Sequence, residues 1–156
     1  MTINGSIKIE TIANFWLNEL RPPLDKALLI TPDDKLEWTP GPDMITLGNI
    51  FMHIAEASDY WITQVIDHQD CIDYTPCPCP PKAEIMAMLN SHWLRIEEFF
   101  SRAPKIMEGT YLLQRRSGPA ELSGFWIMLH LLEHDIHHRS QINHYLRILG
   151  ITPPQI

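Results

Sequence analysis

Hydrophobic residues recur at intervals of three and four along four separate segments of the chain. This spacing is typical of amphipathic α-helices, and no segment shows the sustained alternation of hydrophobic and polar residues that indicates β-strands. Four long helices without a strand pattern predict an all-α fold, a four-helix bundle. At 156 residues the chain is expected to form one domain over residues 1–156.

The first predicted helix has a proline pair inside its apolar stripe. The stripe consists of Ile9, Ile12, Trp16, Leu20, Leu24, Ala27 and Leu28. Pro22 and Pro23 lack backbone N–H donors, and their rings clash with the preceding turn. We therefore expect a kink or a split of the helix at this pair.

The second and third helices carry start signals. The second begins at Thr46 as N-cap and runs to about Asp67. A proline-rich loop follows it, and the third helix begins at Pro80 or Pro81, since proline is favoured in the first turn. This third helix runs to about Arg102.

The fourth helix is the longest and follows a long crossover. Residues 104–122 separate it from the third helix, and Thr110–Leu113 could form a short strand or an extended segment there. The fourth helix is predicted over Ser123–Leu149, where Gly150 gives a strong stop.

Composition and charge exclude several classes of partner. The net charge is −7 and no local cluster of lysine and arginine stands out, so nucleic acid is not an expected partner. Residues 1–10 contain no apolar core of a signal peptide, and the longest apolar run, Phe125–Leu132, is far too short to span a bilayer. The expected location is the cytoplasm, without a membrane partner.

Histidines are concentrated on the fourth helix. Five of the eight lie between residues 130 and 144, namely His130, His134, His137, His138 and His144. At about 100° per residue, His134 and His138 fall on the apolar face together with Asp135, whereas the other three fall on its flank or outside. Two inward imidazoles one turn apart can share a metal ion.

A third ligand must come from another helix. On the third helix His92 lies on the apolar stripe, and on the second helix His53 lies at the edge of the buried face. Helical geometry alone slightly prefers His92 and leaves both histidines open as candidates.

Two short patterns on the fourth helix are similar to zinc-protease motifs. Residues 130–134 match H-x-x-E-H, and residues 134–138 nearly match H-E-x-x-H. The first pattern needs a carboxylate ligand further along the chain, but the only acidic residue after His134 is Asp135, so we do not favour a protease. The three cysteines, Cys71, Cys77 and Cys79, have a spacing that is unusual for a metal site. Their odd number argues against a framework of disulfides. We interpret them as surface thiols.

Two blocks of the sequence resemble the DinB family. Residues 131–150, LLEHDIHHRSQINHYLRILG, contain the histidine, the His-Arg pair and the Leu-Arg before a final glycine that are typical of it, with Ser140 where glycine is usual. Residues 36–62 are similar in their Trp-x-Pro turn, their capped helix and an inward histidine followed by a tryptophan. The resemblance implies that His53, rather than His92, joins His134 and His138 as a metal ligand.

The resemblance also implies a function. Members of this family are linked to zinc, nickel or iron, and several use a low-molecular-weight thiol as co-substrate. We expect a metal-dependent enzyme that activates a thiol, as an S-transferase, or water, as a hydrolase, on a small-molecule substrate. The candidate catalytic or orienting carboxylates are Glu56 and Asp135, with Asp59 and Glu133 as further possibilities. The alternative is a non-catalytic metal-binding or stress-associated bundle protein.

A homodimer is expected on two grounds. The family resemblance implies one, and the outer flank of the fourth helix carries Trp126, Leu129 and Ile136, which is too apolar for a solvated surface.

Overall fold

The computed structural model describes residues 8–72, 78–115 and 118–155. In these ranges the chain forms five α- or π-helical elements, a short 3-10 helix at Asp33–Lys35 and one β-hairpin, and the predicted all-α bundle is confirmed. Helix α1 consists of three consecutive segments, and α2 of two. The segments of α1 are Ile9–Asn14, Phe15–Leu20 and Arg21–Ile30, and those of α2 are Leu47–Ser58 and Asp59–Ile66. Helix α3 covers Lys82–Ser101, α4 covers Ala103–Glu108 and α5 covers Gly124–Ile148. The strands of the hairpin are β1, Thr110–Arg115, and β2, Gly118–Ser123.

Helix α1 accommodates its two prolines without leaving the helical conformation. The turn Phe15–Leu20 is π-helical, with hydrogen bonds from residue i to i+5, and the α-helical segment Arg21–Ile30 starts directly after it. Pro22 and Pro23 therefore occupy the first positions of an α-helical segment, where a missing N–H is least harmful. In place of the kink or split expected at Pro22 and Pro23, the backbone hydrogen-bond pattern changes to π-helical in the preceding turn, Phe15–Leu20.

Helix α2 begins where the sequence predicts. The Thr46 hydroxyl accepts a hydrogen bond from the backbone N–H of Asn49 at 3.4 Å, as an N-cap does. From Asp59 onward this helix is also π-helical, and it ends at Ile66, one residue from the predicted end. π-Helical turns are rare in proteins overall, but those that occur are often found at functional sites.

The crossover contains structure that the sequence predicts only in part. Helix α4 is followed by the antiparallel hairpin β1–β2, in which Thr110 lies opposite Ser123. Only β1 overlaps the expected strand. Helix α5 starts right after β2, and a Cβ at Gly124 would lie 2.0 Å from the carbonyl oxygen of Ile106. Glycine is therefore required for the close approach of α5 to α4.

The core lies between α1, α2, α3 and α5. Its largest fully buried side chains include Trp16, Phe51, Trp93 and Phe99. Helix α2 packs against both α3 and α5, so one end of its inner face meets the histidine-rich face of α5. This packing positions the site described next.

Candidate metal centre

Three histidines from two helices meet at one point. His53 on α2 faces His134 and His138, which lie one turn apart on α5. The Nε2 atoms of His53 and His134 are 3.2 Å apart, and one ring nitrogen from each of the three residues lies within 4.8 Å of the others. Nitrogens bound tetrahedrally to zinc at about 2.0–2.1 Å are about 3.3 Å apart. This histidine triad could hold one divalent ion with little rearrangement.

The outward ring nitrogens of two triad members are held by polar side chains. His53 Nδ1 lies 2.9 Å from Glu56 Oε2, and His138 Nδ1 lies 2.9 Å from Gln141 Oε1. Both partners are oxygens that accept, so each Nδ1 is assigned the proton and each Nε2 presents a lone pair. Fixing the tautomer in this way is what partners of metal-ligating histidines do.

The third triad member contacts a buried carboxylate less closely. His134 Nδ1 and Asp135 Oδ1 are 3.8 Å apart, and within the described part of the chain each is buried without a hydrogen-bond partner. At this separation the two atoms interact electrostatically and are not hydrogen-bonded.

Asp135 itself is completely buried and accepts two hydrogen bonds. Its Oδ2 atom receives the indole N–H of Trp16 at 2.7 Å and the ring Nε2 of His92 at 3.0 Å. Burial raises the pKa of Asp135, but the charge of His92 and these hydrogen bonds outweigh it, so the pKa lies below its ordinary value. The carboxylate is therefore ionised at neutral pH.

His92 lies outside the triad, contrary to the preference from helical geometry. It is buried as its place on the stripe predicts, but its ring contacts Asp135 and does not belong to the histidine group. The resemblance to a known family placed His53 in the triad, and the structure brings His53 there. Whether these three histidines bind a metal stays a prediction.

His138 is kept in its neutral form by its surroundings. Burial, followed by the charge of His134 nearby, lowers its pKa to about 4. The ring is therefore neutral at pH 7, in the form that binds a metal without first losing a proton.

A cavity of about 320 Å³ opens next to the triad. His53 and His134 form part of its wall, and the side chain of Glu56, 44% exposed, lies beside them. The remaining lining residues are Ala57, Tyr60, Trp61, Cys71, Ile72 and His130. The site is thus accessible to a small molecule from one side, as catalytic metal sites are and closed structural ones are not.

The other candidate carboxylates have different surroundings. Asp59 is buried and forms an ion pair with Arg95, Nε to Oδ1, at 3.1 Å. Glu133 is exposed, 4.0 Å from His130 Nδ1. Neither contacts a member of the triad, so Glu56 and Asp135 are the carboxylates adjacent to it.

The flanking histidines contribute no ring nitrogen to the triad, although the ring of His137 lies edge-on to that of His138, with centroids 4.9 Å apart. His137 is exposed, and His144 Nδ1 lies 2.7 Å from the carbonyl oxygen of Ser140 in the turn before it. Burial and the nearby Glu37 raise the pKa of Cys79 to about 11, so it is an unreactive thiol. Cys71 is on the cavity wall, and Cys77 lies outside the described residues.

Sequence reasoning missed the network behind the triad. A place on the apolar stripe predicts only core packing for Trp16, yet its indole N–H donates to Asp135 Oδ2 across 119 residues of chain. The available signal was Asp135 on an apolar face, since a buried carboxylate needs hydrogen-bond donors. The pattern of one helix cannot show which donors a neighbouring helix supplies.

Comparison with known proteins agrees with this architecture. The sequence profile of the DinB family matches residues 16–156. The crystal structure of a DinB-like protein from Bacillus cereus ATCC 10987 superposes with a TM-score of 0.74 at 21% identity, covering 95% of this chain and 97% of that one. No curated protein matches the sequence significantly. In the described part of the chain, no helix is long and apolar enough to cross a membrane.

Proposed function

The chain belongs to the DinB family, and from this premise we propose that it is a divalent-metal-dependent enzyme that activates a low-molecular-weight thiol or water. The observation that carries the proposal is the triad of His53, His134 and His138, with one ring nitrogen of each within 4.8 Å, beside an open cavity. Zinc, nickel and iron all suit imidazole ligands. A divalent ion held there would lower the pKa of a thiol or water that reaches it.

We assign Glu56 the role of proton acceptor. It lines the cavity and already orients His53 through one carboxylate oxygen. In an S-transfer the thiol gives its proton to Glu56, its sulfur forms the new bond to the substrate carbon, and the leaving group departs with the electrons of the broken bond. In a hydrolysis, water gives a proton to the same carboxylate, its oxygen forms the new bond to the substrate carbon, and the leaving group departs with the electrons of the broken bond.

Asp135 has a positioning role in this proposal. It is fully buried and therefore cannot touch a substrate in the cavity, but its free oxygen faces His134 Nδ1. Its negative charge also offsets part of the charge of an ion held by the triad. The carboxylate first interpreted as a candidate catalytic group is thus proposed to act through His134.

The test is metal analysis of tag-free protein, followed by assays with a panel of small thiols and electrophiles and with activated esters. We expect activity that chelation removes, and a loss of about 10²- to 10⁴-fold in Glu56→Gln, the magnitude typical of general-base groups. Cys71→Ser is the control, since the nucleophile comes from the co-substrate. Activity that survives chelation and vanishes in Cys71→Ser would contradict the proposal. The open cavity favours this function over a non-catalytic metal-binding bundle.

We also propose a homodimer formed through the outer face of α5. Trp126, Leu129 and Ile136 are 39%, 43% and 36% exposed, and Phe125 beside them is 50% exposed. Burial of such an apolar face is the usual reason for association. Light scattering at tens of micromolar protein should give twice the mass of one chain, 18.1 kDa. A mass of one chain would contradict the dimer.

A further inference from the structure

The cavity beside the triad has an aromatic wall. Tyr60, Trp61 and His130 line it, and we call these three residues the aromatic slot. The ring of Trp61 lies 5.3 Å from that of Tyr60 and 5.1 Å from that of His130, at angles of 79° and 74°. Edge-to-face contacts of this kind hold the rings in fixed relative positions.

A further tryptophan supports the slot from behind. The ring of Trp126 stacks on His130, with centroids 4.9 Å apart and an angle of 17°, and lies 5.6 Å from Trp61. His130 is therefore held by aromatic contacts on two sides, although it lies near the surface. These contacts give a structural role to His130, which is not one of the three triad histidines.

The backbone that carries the slot is unusual. Tyr60 and Trp61 lie in the π-helical segment Asp59–Ile66, which begins three residues after Glu56. A π-helical turn contains more residues than an α-helical one, so it changes the direction in which the following side chains point.

Another part of the wall, formed by Cys71 and Ile72, is fixed by a buried carboxylate. Asp59 is 2% exposed and accepts the backbone N–H of Ile72 at 2.8 Å, while it also pairs with Arg95. Ile72 and its neighbour Cys71 are thereby held against the cavity, after the end of α2. Two parts of the cavity wall are thus each fixed by specific contacts.

Charge and size restrict the occupant. Among the described residues that line the cavity, Glu56 is the one carboxylate and no lysine or arginine is present. An anionic group would meet a negative charge without a compensating cation in the wall. The volume of about 320 Å³ lies at the lower end of small-molecule pockets.

We propose that the aromatic slot binds an uncharged aromatic ring of the small-molecule substrate. The ring packs against Tyr60, Trp61 and His130, and its reactive substituent is directed towards His53 and His134. The direction of the substituent depends on the proposed metal-dependent function, whereas the preference for an aromatic ring depends on the slot alone.

The experiment compares three probes of similar size: benzyl alcohol, cyclohexylmethanol and benzoate. Each is titrated into metal-free and zinc-loaded protein, and binding is followed by the NMR signals of the tryptophan indole N–H groups. We expect benzyl alcohol to shift the signal of Trp61 and leave that of the buried Trp93 unchanged. It should bind about 2- to 10-fold more tightly than cyclohexylmethanol in both forms. Benzoate should bind more weakly than benzyl alcohol to the metal-free protein.

A matched pair of variants tests the slot directly. His130→Phe keeps a ring at this position and should retain the preference for benzyl alcohol, whereas His130→Leu should reduce it. The His130 side chain is 32% exposed, so neither change threatens the fold. Zinc binding, measured on the same samples, should be unchanged in both variants.

The outcomes separate this inference from the proposed function. Equal binding of benzyl alcohol and cyclohexylmethanol by protein that does bind zinc would overturn the slot and leave the metal site standing. Benzoate as the best ligand of the metal-free protein would also overturn it. A ring preference in protein that binds no zinc would support the slot while the metal-dependent function fails.

Discussion

Replacement of Asp135 by alanine is expected to lower the free energy of unfolding by about 2–6 kcal/mol, because two buried hydrogen-bond donors lose their acceptor at a cost of about 1–3 kcal/mol each. Asp135 and His92 are both fully buried and 3.0 Å apart, and the indole of Trp16 donates to the same oxygen at 2.7 Å. Without the carboxylate, two donors from two other helices stay buried without an acceptor. This is among the largest single-residue effects we expect from the structure.

Urea unfolding of metal-free protein, followed by circular dichroism, measures this effect without a contribution from metal binding. Glu133→Ala is the matched control, since its side chain is 73% exposed two residues earlier on α5, and it should change stability by less than about 0.5 kcal/mol. Asp135→Asn keeps the shape of the side chain and one acceptor oxygen, so its free energy of unfolding should lie between those of Asp135→Ala and Glu133→Ala. Equal stabilities of Asp135→Ala and Glu133→Ala would show that the buried network does not stabilise the bundle.

The second large effect concerns metal affinity. Either His134→Ala or His138→Ala removes one of three nitrogens from the triad and should weaken zinc binding by more than the roughly 10- to 100-fold expected for a supporting group such as Asp135. The control is His137→Ala, because His137 is exposed and directly adjacent to His138. Isothermal titration of zinc into each variant makes the comparison.

These two effects should be separable because the triad contributes less to folding than Asp135 does. The His53 and His134 side chains are 42% and 12% exposed and line an open cavity, so shortening them creates no closed void. A His134→Ala protein that folds but does not bind zinc supports the site. Undiminished zinc affinity in both His134→Ala and His138→Ala would contradict it.

Helical periodicity was sufficient to predict the parts of the site that lie on one helix. His134 and His138 repeat with the period of a buried face, and Asp135 falls on the same face and is fully buried. The choice between His53 and His92 depends on how two helices are rotated against α5. The periodicity of one helix does not determine its rotation relative to another helix. Only the resemblance to the DinB family indicated His53.

Backbone irregularities were the least predictable features. The proline pair in α1 signalled a disturbance, but the π-helical turn Phe15–Leu20 absorbs it one turn earlier. The second π-helical segment, Asp59–Ile66, has no proline and thus no local signal. Strand β2 is short and contains Gly118 and Pro119, which weaken any strand pattern, so its pairing with β1 was not expected.

The central claim is that His53, His134 and His138 together bind one divalent metal. It is tested most directly by the metal content of tag-free protein after zinc loading and gel filtration, compared between wild type, His53→Ala and His92→Gln. We expect one zinc per chain in wild type and in His92→Gln, and a loss of zinc in His53→Ala. One zinc per chain in His53→Ala, with its loss in His92→Gln, would contradict it.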